Sequence, residues 1–356
     1  MKKALCLLFI LLLSGCMNNY GIDDLAMLSG IAFDTSEEDY LDVTAMYQVP
    51  TETDVFEYLH ATSKNTEIEL MSQTKREIAF GQLRIALFGE EIASEGIYPI
   101  ILSFLRDPSI GPLVKLAVTK GTAKDILITK LEKEPNTGSY IETMLAKFDE
   151  EYVFPSVNLL RFTRSYFDDG VDPFLPLISS TGKNIILDGL VLFQNDRLVT
   201  TLNKEKSIYM LLLAEDFKKG VVDLVIEFDD KKEDIHLSYV RNSHKTKVMR
   251  EDNQFSIHYD IEMSGSLEGY SGDQTLKEDT VQKEIEIKIN NALNREMKEM
   301  LLFLQKHKVD PIGVGGSIRN SLSYAEWKKL NWEETYPNIN FSIDVSMKIR
   351  NVSKFN

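Results

Sequence analysis

Cysteine is almost absent from this sequence: its 356 residues hold two, Cys6 and Cys16. So few thiols can build neither a disulfide framework nor a cysteine-ligated metal centre, and stability has to come from a buried apolar core. Long apolar runs are also missing after the first fifteen residues. The best later stretch, Ile208 to Ala214, falls far short of the roughly 20 residues that cross a bilayer as a helix and reads as a buried helix or strand. Positive charge is scarce: 40 Lys and Arg stand against 55 Asp and Glu, a formal charge of −15. Such a body is repelled by phosphate backbones, which excludes nucleic acid, and by anionic lipid headgroups. Any hold on a membrane therefore needs a source other than net surface charge.

Catalytic signatures are lacking too. No G-x-S-x-G is present, so a serine hydrolase has no nucleophile elbow. The histidines His60, His236, His244, His258 and His307 are scattered, no two at metal-ligand spacing, and read as solvated surface. His258 shares the polar face of an alternating stretch with Asp260 and Glu262. Gly313-Val-Gly-Gly316 fits a phosphate-cradling loop poorly, because it follows a helical stretch and Ile318 stands where the third glycine belongs. Helix termination and a turn are expected of it. The acidic pairs Glu90-Glu91, Asp168-Asp169, Asp229-Asp230 and Glu333-Glu334 also read as surface in so acidic a chain. The expectation is a protein that is not an enzyme, with no cofactor and no metal.

What is there begins at the N-terminus. Lys2 and Lys3 precede the apolar run Ala4 to Leu13, followed by Ser14-Gly15-Cys16. Charge, a short apolar segment and small residues come in the order of an export signal, so residues 1–15 read as a leader removed on export. A cysteine directly after the small residues resembles the lipobox of bacterial lipoproteins. Cys16 is accordingly the candidate lipidation site, and two or more acyl chains on it would make attachment durable where one would not. Loss of Lys2 and Lys3 makes the body more acidic still, at about −17.

Periodicity and punctuation divide the rest into three expected units. In residues 16–150, Leu41 to Val49 alternates as a strand, and Leu83 to Phe88 is a short apolar run suited to a strand covered on both faces. Ile97, Ile100, Ile101, Phe104 and Leu105 recur at helical spacing, with Ser94 as expected N-cap and Asp107-Pro108 as the stop. A strand at Leu116 to Thr119 and a helix opened by Gly121-Thr122 complete a mixed α/β unit. Pro155, Pro173 and Pro176 with Asp168-Asp169-Gly170 mark a boundary region. In the middle unit, 151–215, Asn184 to Phe193 and Arg197 to Leu202 flank Asn195-Asp196 as a hairpin. The last unit, 216–356, alternates over 222–228, 255–263 and 341–349. Between the last two runs, Ile285, Ile289, Leu293, Met297, Leu301 and Leu304 form the apolar stripe of a long helix over 281–308. Core packing is the plainer reading of that stripe, a partner-docking face the sharper one. The expected fold class is α+β, mixed α/β overall, ending in an antiparallel sheet packed on one long amphipathic helix.

A set of islands adds a resemblance. Asp24 to Asp34, Phe80 to Ile92, Phe104-Leu-Arg-Asp-Pro108, Lys120-Gly-Thr-Ala-Lys124 and Gly189 to Leu198 come first. Asp310-Pro-Ile-Gly-Val-Gly315, Glu326-Trp-Lys-Lys329, Trp332 to Pro337 and Val345 to Arg350 follow. In this order they resemble the spore germinant-receptor C-subunit family, the Ger(x)C lipoproteins, over nearly the whole chain after the leader. The resemblance implies a three-domain lipoprotein without catalytic residues, partnered by integral-membrane A and B subunits in a nutrient-triggered receptor. It places the protein on the outer face of the cytoplasmic membrane, which in spores is the inner spore membrane. Only Cys16 is carried over as a site residue. Many members have a tryptophan-containing segment after that cysteine, where this chain has Met17-Asn-Asn-Tyr20. A different class, a solute-binding lipoprotein of a membrane importer, shares the anchor but requires two doubly wound lobes around a cleft.

Overall fold

The computed structural model of the chain describes residues 21, 24–36, 41–48, 56–62, 66–132, 134–151, 154–228, 231–251, 254–274 and 279–352. Cys16 and the leader lie outside the described residues.

The first part opens with β1 (Leu25–Thr35), β2 (Leu41–Gln48) and β3 (Phe56–Thr62), joined as antiparallel neighbours. Helix α1 (Thr66–Ser72) and the short β4 (Glu77–Ala79) lead to β5 (Ile85–Gly89), α2 (Glu90–Glu95), α3 (Tyr98–Arg106) and β6 (Lys115–Thr119). Helices α4 (Ala123–Leu127), α5 (Thr137–Glu151) and α6 (Leu159–Phe167) precede β7 (Phe174–Ser180), β8 (Ile185–Gln194), β9 (Arg197–Asn203) and α7 (Lys204–Ala214). These strands make one nine-stranded sheet, ordered β3-β2-β1-β5-β6-β7-β8-β9 with β4 beside β1. Its centre, β1, β5, β6 and β7, is parallel. Parallel neighbours need helical crossovers that cover the sheet, and this is why β5 reads as an unbroken apolar run: all five residues are buried.

The hairpin anticipated around Asn195-Asp196 is β8–β9, with Asn195 in the left-handed region at φ 58°. Its strands continue the first sheet through β7, so 151–215 has no sheet of its own. Helix α3 starts later than its expected cap. Ser94 sits inside α2, its hydroxyl donating to the Glu90 carbonyl, and Ile97 occupies the N-cap. A short helix ends at Gly96 and a second begins at once, which a single helical period does not reveal.

The second part comprises β10 (Val222–Phe228), β11 (Lys231–Glu251), β12 (Gln254–Tyr270), α8 (Asp279–His307), α9 (Val314–Ser321), α10 (Tyr324–Lys329), α11 (Trp332–Thr335) and β13 (Asn340–Val352). Its sheet is ordered β10-β11-β12-β13. The expected antiparallel pairing holds for β10, β11 and β12, but β13 runs parallel to β12. The reason is the connection: α8 carries the chain back along the sheet before β13 begins, and such a crossover returns a strand in its original direction. All six stripe residues of α8, Ile285 to Leu304, are buried, as are Phe255, Ile257, Tyr259, Ile261 and Met263 on β12. The stripe is core. Helix α8 also closes the edge of the sheet. The N–H groups of Val345, Met347 and Ile349 donate to Asn294, Asn290 and Glu286 at 3.1, 2.6 and 2.8 Å. Four helical residues rise about 6 Å and two strand residues about 6.6 Å, so an i, i+4 row of side chains meets every second N–H of β13.

Candidate functional site

Among the described residues, two clusters of buried carboxylates and backbone N–H groups stand out. The first lies at the C-terminal ends of β1, β5 and β6, where open α/β sheets hold their ligands. Here the anion is internal. The buried carboxylate of Asp34 accepts from the N–H groups of Ala123 and Lys124, at 2.7 and 2.9 Å, at the start of α4. Burial raises its pKa, and the two N–H groups oppose that rise. Nearby, Thr35 donates to Glu91 at 2.6 Å. A carboxylate from β1 thus occupies the helix terminus that a ligand phosphate takes in dinucleotide folds.

The second place joins the two sheets. Asp172 lies just before β7, and Asp310 follows α8. The Asp310 N–H donates to the Asp172 carboxylate at 2.7 Å, and the Asp172 N–H returns a bond to the Asp310 carbonyl at 2.9 Å. The Asp310 side chain turns inward, where Val314 and Gly315 N–H groups donate to its two oxygens at 2.9 and 2.7 Å. Gly313, at φ 74°, caps α9 and lets the backbone wrap the carboxylate. The glycine run was expected to end a helix. It begins one instead, since α8 already ends at His307, followed by Lys308 in the left-handed region at φ 55°. It does cradle an anion, but one supplied by its own chain.

Burial pushes the Asp310 carboxyl up to about 7, against the pull of the loop N–H groups and with help from the Asp172 charge. Asp172 is raised as well, again chiefly by burial. Around this pair the two parts are bolted together. Gly170 and Gly315 pack backbone to backbone: a Cβ on Gly315 would come within 2.6 Å of the Gly170 Cα, and the Gly316 N–H donates to the Gly170 carbonyl at 2.9 Å. Arg319 donates to the Asp168 carboxylate at 2.5 Å and to the Asp169 carbonyl at 2.7 Å. Lys328 and the Trp327 indole donate to Asp169 at 2.9 and 3.4 Å, and these bonds hold the Asp169 carboxyl below its ordinary range. Trp332 packs at a tilt between Trp327 and Tyr336, whose hydroxyl donates to the Val309 carbonyl at 2.9 Å. Asn242 adds a second tie, its amide joining the end of α7 to β11 through Leu212, Glu215 and Phe217.

The residues weighed from sequence fall as follows. Asp168-Asp169, read as surface, are junction residues, and the sequence signal for them is the Gly170 that follows, which permits the close approach. Glu90-Glu91 and Glu333-Glu334 sit in the first turns of α2 and α11, where negative charge suits the helix dipole. Asp229-Asp230 lie outside the described residues. The histidines stay apart: His236 pairs with Asp223 at 2.6 Å, His244 with Asp216 at 2.9 Å, and His258 with Ser342 at 2.9 Å. His60 meets Thr44 at 3.1 Å, and His307 the Phe303 carbonyl at 2.9 Å. Among the described residues no group of three His, Cys, Asp or Glu could hold a metal ion. No helix among them is long and apolar enough to cross a membrane. Sequence reasoning missed the Asp172–Asp310 pair, because nothing local says that two carboxylates far apart in the chain will share one buried junction.

Comparison with known proteins covers both parts. Residues 19–180 match the family described as spore germination protein N-terminal domain, and residues 188–353 match the spore germination B3/GerAC like C-terminal domain. The chain is 23% identical to the spore germination protein GerQC of Bacillus cereus, over 96% of this chain and 97% of that one. It is 21% identical to the spore germination protein B3 of Bacillus subtilis (strain 168), over 98% and 97%. The crystal structure of the GerBC protein superposes with a TM-score of 0.60 at 17% identity, covering 93% of this chain and 100% of that one.

Proposed function

The chain belongs to the spore germination B3/GerAC like family, whose N- and C-terminal domains it carries in order, and from that premise we propose that it is the lipid-anchored C subunit of a spore germinant receptor. In this reading its role is in spore germination. Acylated Cys16 ties an acidic body to the outer face of the membrane, and integral-membrane A and B subunits are its partners there, at the inner membrane of the spore. The body is non-enzymatic and serves assembly or signalling.

The observation that carries this reading is the pairing of the two family domains with the Asp172–Asp310 junction, which makes one mechanical unit of them. A subunit that passes a signal between partners needs such rigidity; a solute-capturing lipoprotein needs two lobes that open and close around a cleft. Here the second part is a four-stranded sheet on one long helix, and the two parts are tied by hydrogen bonds from part-buried and buried groups, which speaks for the receptor subunit. Detergent-phase partition of the Cys16→Ala chain tests the anchor. The variant is expected to leave the membrane fraction and to lower the nutrient response of spores that carry it. Unchanged retention in the membrane would contradict the proposal.

A further inference from the structure

The face of the C-terminal sheet turned away from α8 carries a groove of about 800 Å³ with an unusual charge. In a chain of net charge −15, Lys218, Arg241, Lys348 and Arg350 converge on it. They come from the segment before β10, from β11 and from β13. Among the described residues none of the four forms an ion pair. Register explains the convergence: Ser264 on β12 lies opposite Arg241 on one side and Lys348 on the other, so the three make one cross-strand row. The guanidinium of Arg241 is oriented by its Nε, which donates to the Lys218 carbonyl at 3.1 Å and leaves its terminal nitrogens unbonded. Glu262 and Asp260 line the same groove farther along β12, one and two rows from Ser264 at about 7 Å per row.

Four cations stand against two carboxylates in the groove, and among the described residues no ion pair joins the two sets, so like-charge repulsion is only partly offset. The surplus positive charge leaves an anion to come from outside. The groove is partly open to solvent, less enclosed than the pockets that bury most of a small ligand, which suits an extended segment of a macromolecule. We propose that this groove is a docking site for an extended acidic segment of a partner protein, its carboxylates bridged by the Arg241–Ser264–Lys348 row with Lys218 and Arg350. The proposal deepens the receptor-subunit reading and rests on it for the partner being another receptor subunit.

The test uses the full chain without its leader, in detergent, and a fluorescein-labelled ten-residue peptide of alternating Glu and Ser. Anisotropy at about 0.15 M salt, where the screening length is about 8 Å, is expected to show saturable binding, absent for a Lys/Ser peptide. Lys348→Gln with Arg350→Gln, both exposed, should weaken it at least about tenfold, a loss of roughly 1.4 kcal/mol. Lys120→Gln with Lys130→Gln removes the same charge from the other sheet and should change affinity less than about twofold, since long-range charge is screened. Equal losses in both variants, or no binding by the unaltered chain, would overturn the proposal. So would a dimer seen by sedimentation and abolished by the groove variant, because the occupant would then be a second copy. Co-purification with integral-membrane proteins from spores reads the receptor reading separately: if it persists undiminished in the groove variant, the docking proposal falls and the receptor reading stands.

Discussion

At the scale of single residues, Asp310 is the most consequential group in the molecule. Its carboxyl titrates near 7 when folded and near 4 when unfolded. The folded state therefore holds this proton over a range in which the unfolded chain has released it. The stability so gained is full below about pH 4, declines as pH rises toward 7, and is flat beyond. Asp310→Asn cannot ionise, and its amide can accept only one of the two N–H bonds, so it should lower stability at acid pH by about 1–3 kcal/mol. Urea melts from pH 5 to 8 should show the gap between the two proteins narrowing as pH rises; a constant gap would mean that Asp310 does not titrate there. Gly170 sits at φ 88° with its α-carbon against Gly315, so any side chain meets both a strained backbone and a steric contact. Gly170→Ala should cost at least about 2 kcal/mol, read as a drop in denaturation midpoint. Neither residue was legible as a site in the sequence. Glycine announces that something close or left-handed happens, but not what approaches it.

Secondary-structure elements show more clearly what a sequence does and does not reveal. Helix α8 was readable because its stripe keeps one period over six residues. Strand β11 was not, because its alternation breaks. Ile235 and Leu237 are buried at odd positions, whereas Val240 and Asn242 are buried at even ones. The phase changes at a bulge between Ser238 and Arg241, where Tyr239 takes φ 53°. An inserted residue flips every later side chain to the other face, so the 21-residue strand reads as charged chain without a period. The direction of β13 was equally hidden, since alternation gives a strand its faces but not its neighbours. The stripe on α8 makes a sharp prediction. Leu293→Ala should destabilise by about 2–5 kcal/mol, while Ile287→Ala, 58% exposed on the opposite side, should stay within about 0.5 kcal/mol. Comparable losses at both positions would show that the outer face is buried against something else. Asn290→Ala removes the acceptor of the Met347 N–H and should cost about 1–3 kcal/mol. It also uncovers a strand edge, so light scattering should rise with concentration in the variant and not in the parent.

The whole molecule is two sheets made into one unit by a junction that only tertiary structure assembles. Composition already bounded it: few thiols, an acidic body, and no later run able to cross a membrane. Family islands read from the sequence extended that to a fold and a role, and the two family domains cover the same ground. The account's central claim is that this chain serves nutrient-triggered germination as a receptor subunit. The most direct measurement is the germination of spores lacking it, followed by loss of refractility under a panel of single nutrients. The account predicts that response to one class of nutrient is lost, that other classes still act, and that re-expression of the chain restores the lost response. Full response to every nutrient in its absence would contradict it.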